Sequence, residues 1–319
     1  MGLGSLIPVL ARARTFSDSL ALAGADGDFS AVEGLRVPLL TGLLERRAAA
    51  AGRGQALLAI TATSREAEGV VDSFRTWSPD ALVLPFPAWE TLPHERLSPS
   101  AETVGHRLRA LRELRRWCDG PRTQQLVIVA SVRAALQPLA PGLDALETIE
   151  LAPGGRGYDL AALAIRLAEL AYARVDLVTR RGEFALRGGI LDVFPPDAEH
   201  PVRAEFFGDE LEELRAFSVA DQRSLPGETG AVVLPPAREL LLTDAVRARA
   251  RELRHEFEAL APMLAKIAEG IPVEGMESLT PALVGRLVPL TDYLPDDAAV
   301  AVLSPERVAT RALSLAETN

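Results

Sequence analysis

The hydrophobic pattern of this chain changes period after Pro141-Gly142, and that change limits its fold more than any other feature. Upstream lie short, unbroken apolar runs: Ala56-Leu-Leu-Ala-Ile-Thr61, Ala81-Leu-Val-Leu84 and Leu126-Val-Ile-Val129. Runs this short, without polar alternation, suit strands covered on both faces, as in a parallel sheet between helices. Helical signals separate them. Thr63-Ser-Arg-Glu66 is a capping box, followed by Ala67, Val70, Val71 and Phe74 on one helix face. Val104, Leu108, Leu111 and Cys118 mark a second amphipathic helix, and Val132–Leu136 a short third. Pro85-Phe-Pro-Ala-Trp-Glu-Thr-Leu-Pro93 continues neither regular structure.

Downstream, one helix over Leu160–Ala171 precedes a series of strands. These are expected at Arg174–Val178, Glu183–Arg187, Ile190–Phe194, Val202–Phe207 and Leu211–Phe217. Gly182, Gly188-Gly189 and Gly208-Asp209 supply the tight turns that antiparallel neighbours need. From Pro226 helical periodicity returns, with Val246, Leu253, Phe257, Leu260 and Leu264 on one stripe of a helix starting near Thr243-Asp244. Ala299-Val-Ala-Val-Leu303 reads as a last buried strand, with a helix after Pro305. The expected fold is therefore an α/β parallel-sheet domain, residues 1–142 and 227–319, split by an inserted, mostly antiparallel α+β domain, residues 143–226.

The residues that chemistry would need are mostly missing. Lys266 is the only lysine among 319 residues, and it sits in Leu264-Ala-Lys-Ile-Ala-Glu-Gly270 with no glycine loop before it. The nearest candidate loop, Gly34-Leu-Arg-Val-Pro-Leu-Leu-Thr-Gly42, is followed by Leu43-Leu44 and not by Lys-Ser/Thr. ATP hydrolysis by this chain is not expected, and no cofactor is. His94, His106, His200 and His255 lack metal-ligand spacing, with His94 and His255 read as solvated or capping groups. No Gly-x-Ser-x-Gly elbow supports a serine hydrolase. Cys118, the single cysteine, reads as a packing residue in a reducing compartment. A net charge of −10 argues against a general nucleic-acid clamp. No apolar run reaches the ~20 residues that cross a bilayer, so a cytoplasmic protein without membrane contact is expected.

One segment departs from the acidic background. Between Tyr172 and Arg187, Arg174, Arg180, Arg181 and Arg187 face only Asp176 and Glu183, a local excess of two positive charges. Pairing of the first two expected strands would bring Arg174 and Arg187 near each other on one sheet face, with Phe194 as an apolar anchor. Arginine beside an aromatic is the composition of an interface hot spot. A half-buried sheet whose outer face simply carries arginines has the same composition.

Tyr172-Ala-Arg-Val-Asp-Leu-Val-Thr-Arg-Arg-Gly-Glu-Phe-Ala-Leu-Arg-Gly-Gly-Ile-Leu-Asp-Val-Phe-Pro195 resembles a signature of the transcription-repair coupling factors. Ala88-Trp-Glu-Thr-Leu-Pro-His-Glu-Arg-Leu-Ser-Pro99, Pro201-Val-Arg-Ala-Glu-Phe-Phe-Gly-Asp-Glu210 and Ala220-Asp-Gln-Arg-Ser224 continue the likeness. Val127-Ile-Val-Ala-Ser-Val-Arg133 is similar to a block shared with the excinuclease subunit UvrB. The resemblance implies a UvrB-like module: a degenerate helicase-like frame, without ATPase motifs, carrying an inserted domain that docks UvrA. It implies a UvrA-binding face containing Arg174, Arg187 and Phe194. UvrB has an arginine where this chain has Ala185, and Arg181 is the neighbouring substitute. RNA polymerase, DNA, ATP and magnesium belong, by the same resemblance, to downstream parts of the family's proteins. DNA binding by the module and restraint of the distant motor are the alternatives.

Overall fold

The computed structural model describes residues 2–91, 95–227 and 229–318. Met1, Leu92, Pro93, His94, Glu228 and Asn319 lie outside the described residues, and with them the end of the proline-rich stretch and the role expected of His94. In chain order the strands are β1 (Ala56–Thr61), β2 (Leu82–Phe86), β3 (Leu126–Ser131), β4 (Ile149–Leu151), β5 (Ala173–Arg174) and β6 (Glu183–Arg187). They continue with β7 (Ile190–Val193), β8 (Val202–Phe207), β9 (Glu210–Ala216), β10 (Val232–Leu234) and β11 (Ala299–Val302). The fold is α/β: a four-stranded parallel sheet with flanking helices, and a smaller, mostly antiparallel sheet. Two compact units result, one of residues 1–88, 110–139 and 288–319, the other of residues 89–109 and 140–287.

In the first unit the strand order is β11-β1-β3-β2, all parallel. Leu57, Ala59, Val127 and Val129 pack against Val71 and Phe74 of helix Ser64–Trp77 and against Val37 and Leu44 of helix Glu33–Ala51. The opposite side is closed by Ala62, Val132, Val308 and Leu315. The capping box forms as its sequence dictates. Thr63 Oγ1 accepts from Glu66 N at 3.3 Å, and the Glu66 carboxylate accepts from Ala62 N at 3.2 Å. Pro85 does not end the second strand but lies inside β2, an edge strand that tolerates a missing N–H. Gly34–Gly42 is not a loop: both glycines and Pro38 lie within helix Glu33–Ala51. A Cβ at Gly42 would stand 2.8 Å from Leu20 Cδ2, so a larger residue there would displace that leucine.

In the second unit the sheet order is β5-β6-β7-β8-β9. Its inner face, with Phe184, Leu191, Val193, Val202, Ala204, Leu211 and Leu214, packs on Leu163 and Leu167 of helix Leu160–Glu169. The antiparallel pair β4–β10 adds Leu151 and Leu234 to the same core. Beneath it, Arg107, fully buried, ion-pairs with Glu239 at 2.5 Å, and Trp89 Nε1 donates to the same carboxylate at 3.1 Å. The helix expected from Thr243 to Leu264 is broken into Asp244–Leu253 and Ala261–Ala268, joined through a 3-10 turn at Glu258–Leu260. Pro262 explains the break, because its ring and missing N–H fit a first helical turn but not an interior. Phe257 is consequently exposed and leaves the apolar stripe.

Candidate partner-docking face

Alternation along the strands gives the five-stranded sheet a second, outer face. Register places Arg187, Ile190, Glu205 and Glu213 in one row across it, and Ala185, Asp192, Arg203 and Arg215 in the next. The rows form a charge checkerboard in place of the basic patch that the sequence suggests. Asp192 is its centre: the side chain is 1% exposed and accepts from Arg203 Nε at 2.6 Å, Arg203 Nη2 at 2.9 Å and Arg187 Nη2 at 2.8 Å. Arg203 also lies over the Phe217 ring, 5.0 Å from its centroid. Its hydrogen bonds to Asp192 hold its pKa above the usual arginine value, against the opposing effect of burial. Asp192 went unread in the sequence, yet a carboxylate within the apolar run Ile-Leu-Asp-Val-Phe is the signal that marks it.

The four residues singled out in the sequence meet different fates. Arg187 remains half exposed, with one guanidinium nitrogen on Asp192 and no partner for the other two among the described residues. Arg174 is exposed, and its side chain makes no hydrogen bond or ion pair among the described residues. It does not share a row with Arg187. The two-residue strand β5 runs parallel to β6 and sets Arg174 opposite Phe184, on the alternate side of the pleat. Phe194 is 5% exposed and belongs to a small core with Val178, Ala185 and Phe217. Arg181 lies over the Phe194 ring at 5.0 Å, donates through Nε to Ala198 O at 3.1 Å and ion-pairs with Glu102 at 3.4 Å. It braces the aromatic from outside.

The local sequence explains why β5 stops after two residues. Glu183 Oε2 accepts from the backbone N–H groups of Thr179 and Arg180, both at 2.8 Å, and folds that segment into a tight loop. Val178 turns into the outer apolar core, and the loop closes at Gly182, whose φ of +79° suits glycine. Glu183 is thereby committed to the loop, and among the described residues Arg174 and Arg180 have no ion-pair partner. Ala185, where UvrB is expected to carry arginine, is 1% exposed beneath this cluster, a site without room for a longer side chain.

The other candidate sites are accounted for by packing. Only Ala62 and Thr63 separate β1 from helix Ser64–Trp77, too short a turn for a glycine-rich phosphate loop, and the Glu66 carboxylate beside it accepts from Ala62 N and pairs with Arg307 at 2.5 Å. A cleft of about 380 Å³ beside β2 and β3 is lined by Glu68 and Asp72 with Arg75, the wrong charge balance for phosphates. Lys266 is exposed on helix Ala261–Ala268, in the other compact unit from β1. Burial pushes the Cys118 thiol above its usual pKa, which leaves it a poor nucleophile. Among the described residues no cluster of His, Cys, Asp and Glu is arranged to hold a metal, and no helix is long and apolar enough to cross a membrane.

The segment that holds this sheet is also the one that a known family matches. The family described as UvrB interaction domain matches residues 149–240, the segment from β4 through β10 and just beyond. The transcription-repair-coupling factor of Mycobacterium tuberculosis is 50% identical over 284 residues, covering 85% of this chain and 23% of the relative. That of Myxococcus xanthus is 37% identical over 223 residues, covering 67% and 18%, and that of Escherichia coli 32% over 222 residues, covering 68% and 19%. The chain thus spans less than a quarter of the length of the curated relatives it matches. Within that span, the chain belongs to the transcription-repair-coupling factor family, as the region that carries the UvrB interaction domain.

Proposed function

We propose that this chain is a non-catalytic recruitment module that docks UvrA through the arginine-bearing edge of its inserted sheet, within residues 143–226. In the longer proteins of the family, the module would bring UvrA to a site where RNA polymerase has stalled. ATP-driven translocation on DNA, with its ATP and magnesium, is assigned to regions outside this span. The observation that carries the reading is the state of Arg174 and Arg187. In the domain matched to UvrB interaction, one guanidinium has no partner among the described residues and the other is held by a single nitrogen. Such groups suit carboxylates on a partner, giving salt-sensitive and orientation-specific association. Phe194 and Arg181 support the surface from beneath, as a buried ring and its brace.

The short turn after β1, where the Glu66 carboxylate accepts from Ala62 N and pairs with Arg307, has no glycine-rich loop, in keeping with a module without nucleotide chemistry. Replacing Arg174 or Arg187 by alanine is expected to weaken UvrA binding by about 1–3 kcal/mol each while leaving the fold intact. Calorimetric titration of UvrA into each variant measures this, with circular dichroism as the folding control. Affinity unchanged by both substitutions would remove the docking face from this sheet.

A further inference from the structure

We propose that Asp192 is a positioning residue for docking: a buried carboxylate that holds Arg187 in a fixed direction, with two guanidinium nitrogens turned to the partner. The inference rests on the docking reading above and adds a residue that touches no partner. Arg203 fills one edge of Asp192 with a two-nitrogen fork, Nε to Oδ1 and Nη2 to Oδ2. Among the described residues one further contact on Oδ2 is made, by Arg187 Nη2 at 2.8 Å. The geometry therefore restrains Arg187 by one bond without consuming it. Arg203 is held the other way. Its fork is spent on Asp192, its guanidinium lies over Phe217 and its side chain is mostly covered. One carboxylate between two guanidinium groups leaves the trio with a net single positive charge, displayed on Arg187. Arg174, whose side chain has no partner among the described residues, has no such restraint.

Two effects of removing the carboxylate oppose each other. Freeing Arg187 restores the rotamer freedom that binding must then quench, which weakens association. Losing a negative charge raises the positive potential of the face, which strengthens it, but salt at about 0.15 M screens that gain beyond roughly 8 Å. Positioning should win at physiological salt, and the deficit should narrow at low salt.

The test is a double-mutant cycle on UvrA binding, using Asp192→Asn, Arg187→Ala, Arg174→Ala and the two pairs that include Asp192→Asn. At about 0.15 M salt, Asp192→Asn is expected to weaken binding about three- to tenfold. In that background Arg187→Ala should lose most of its effect, while Arg174→Ala keeps all of its own. A merely structural Asp192 would alter both arginines alike, so an equal loss at Arg174 overturns the proposal. Wild-type or tighter affinity of Asp192→Asn overturns it too, as does full independence from Arg187. If Arg187→Ala binds as wild type, the docking reading itself fails, a result distinct from those. Should Asp192→Asn not fold, side-chain NMR of the wild-type protein decides: restricted guanidinium rotation at Arg187 but not at Arg174 is expected, and free rotation at both overturns the proposal.

Discussion

Phe194 separates packing from recognition, because the family resemblance makes it a contact residue whereas the structure buries it. Its ring is 5% exposed, against Val178, Ala185 and Phe217, with the Arg181 guanidinium over its outer side. Truncation to alanine forfeits about 2 kcal/mol of transfer free energy for the ring. Loss of the cation–π contact adds about 0.5–1 kcal/mol. A partly collapsed cavity brings the total to about 3–4 kcal/mol, within the usual range for a buried Phe→Ala change. Leucine, which refills much of the volume, should cost roughly 1–2 kcal/mol. Urea unfolding followed by far-UV circular dichroism measures both, and UvrA titration below the unfolding range measures recognition separately. The leucine variant should bind within about twofold of wild type, since it leaves Arg174 and Arg187 in place. A Phe194→Ala protein of unchanged stability that nevertheless loses UvrA would refute this: the ring would then act at the interface and not in the core.

Other consequences concern the frame. Glu239→Gln leaves Arg107 buried opposite a neutral partner and should destabilise the second unit by about 3 kcal/mol in urea unfolding, whereas Arg107→Met combined with Glu239→Leu should recover much of that loss. Thr63→Ala removes the helix cap after β1 and should cost about 1 kcal/mol without altering UvrA affinity. At Asp297, burial alone would raise the carboxyl, but the hydrogen bond from Arg53 and the charge of Arg122 outweigh it and lower its pKa below 3.8. A depressed folded-state pKa stabilises fully above 3.8 and is lost as pH falls through the folded value, so Asp297→Asn should flatten the acid limb of stability below about pH 4.

Much of the frame was legible in the sequence. β1 and β3 fall on apolar runs that are buried on both faces, and β6 to β9 on the glycine-punctuated alternation. β11 also falls on its apolar run, but the strand expected to be buried is the sheet's edge, with Val300 and Val302 exposed. The errors came where one residue has two uses. Pro85 reads as a breaker, yet it sits in an edge strand; Gly34–Gly42 reads as the nearest candidate loop, yet with Pro38 it lies inside a helix that tertiary packing stabilises. β5 was read too long because nothing local says that Glu183 will capture the amides of Thr179 and Arg180. For the candidate site, the excess of arginine was visible but its neutralisation was not. Glu102 reaches Arg181 from 79 residues upstream, and Asp192 joins Arg187 only across the β6–β7 pair. Buried Phe194 beside a proline pair resembles an exposed anchor in sequence, and only its neighbours tell the two apart.

The most direct measurement is the affinity of UvrA for the wild-type chain and for the Arg174→Ala/Arg187→Ala double variant, over a salt series. Wild-type binding that weakens with salt, and a double variant weakened by about 2–5 kcal/mol with unaltered unfolding, is the expected result. Equal affinity of the two proteins at every salt concentration would contradict docking through this sheet.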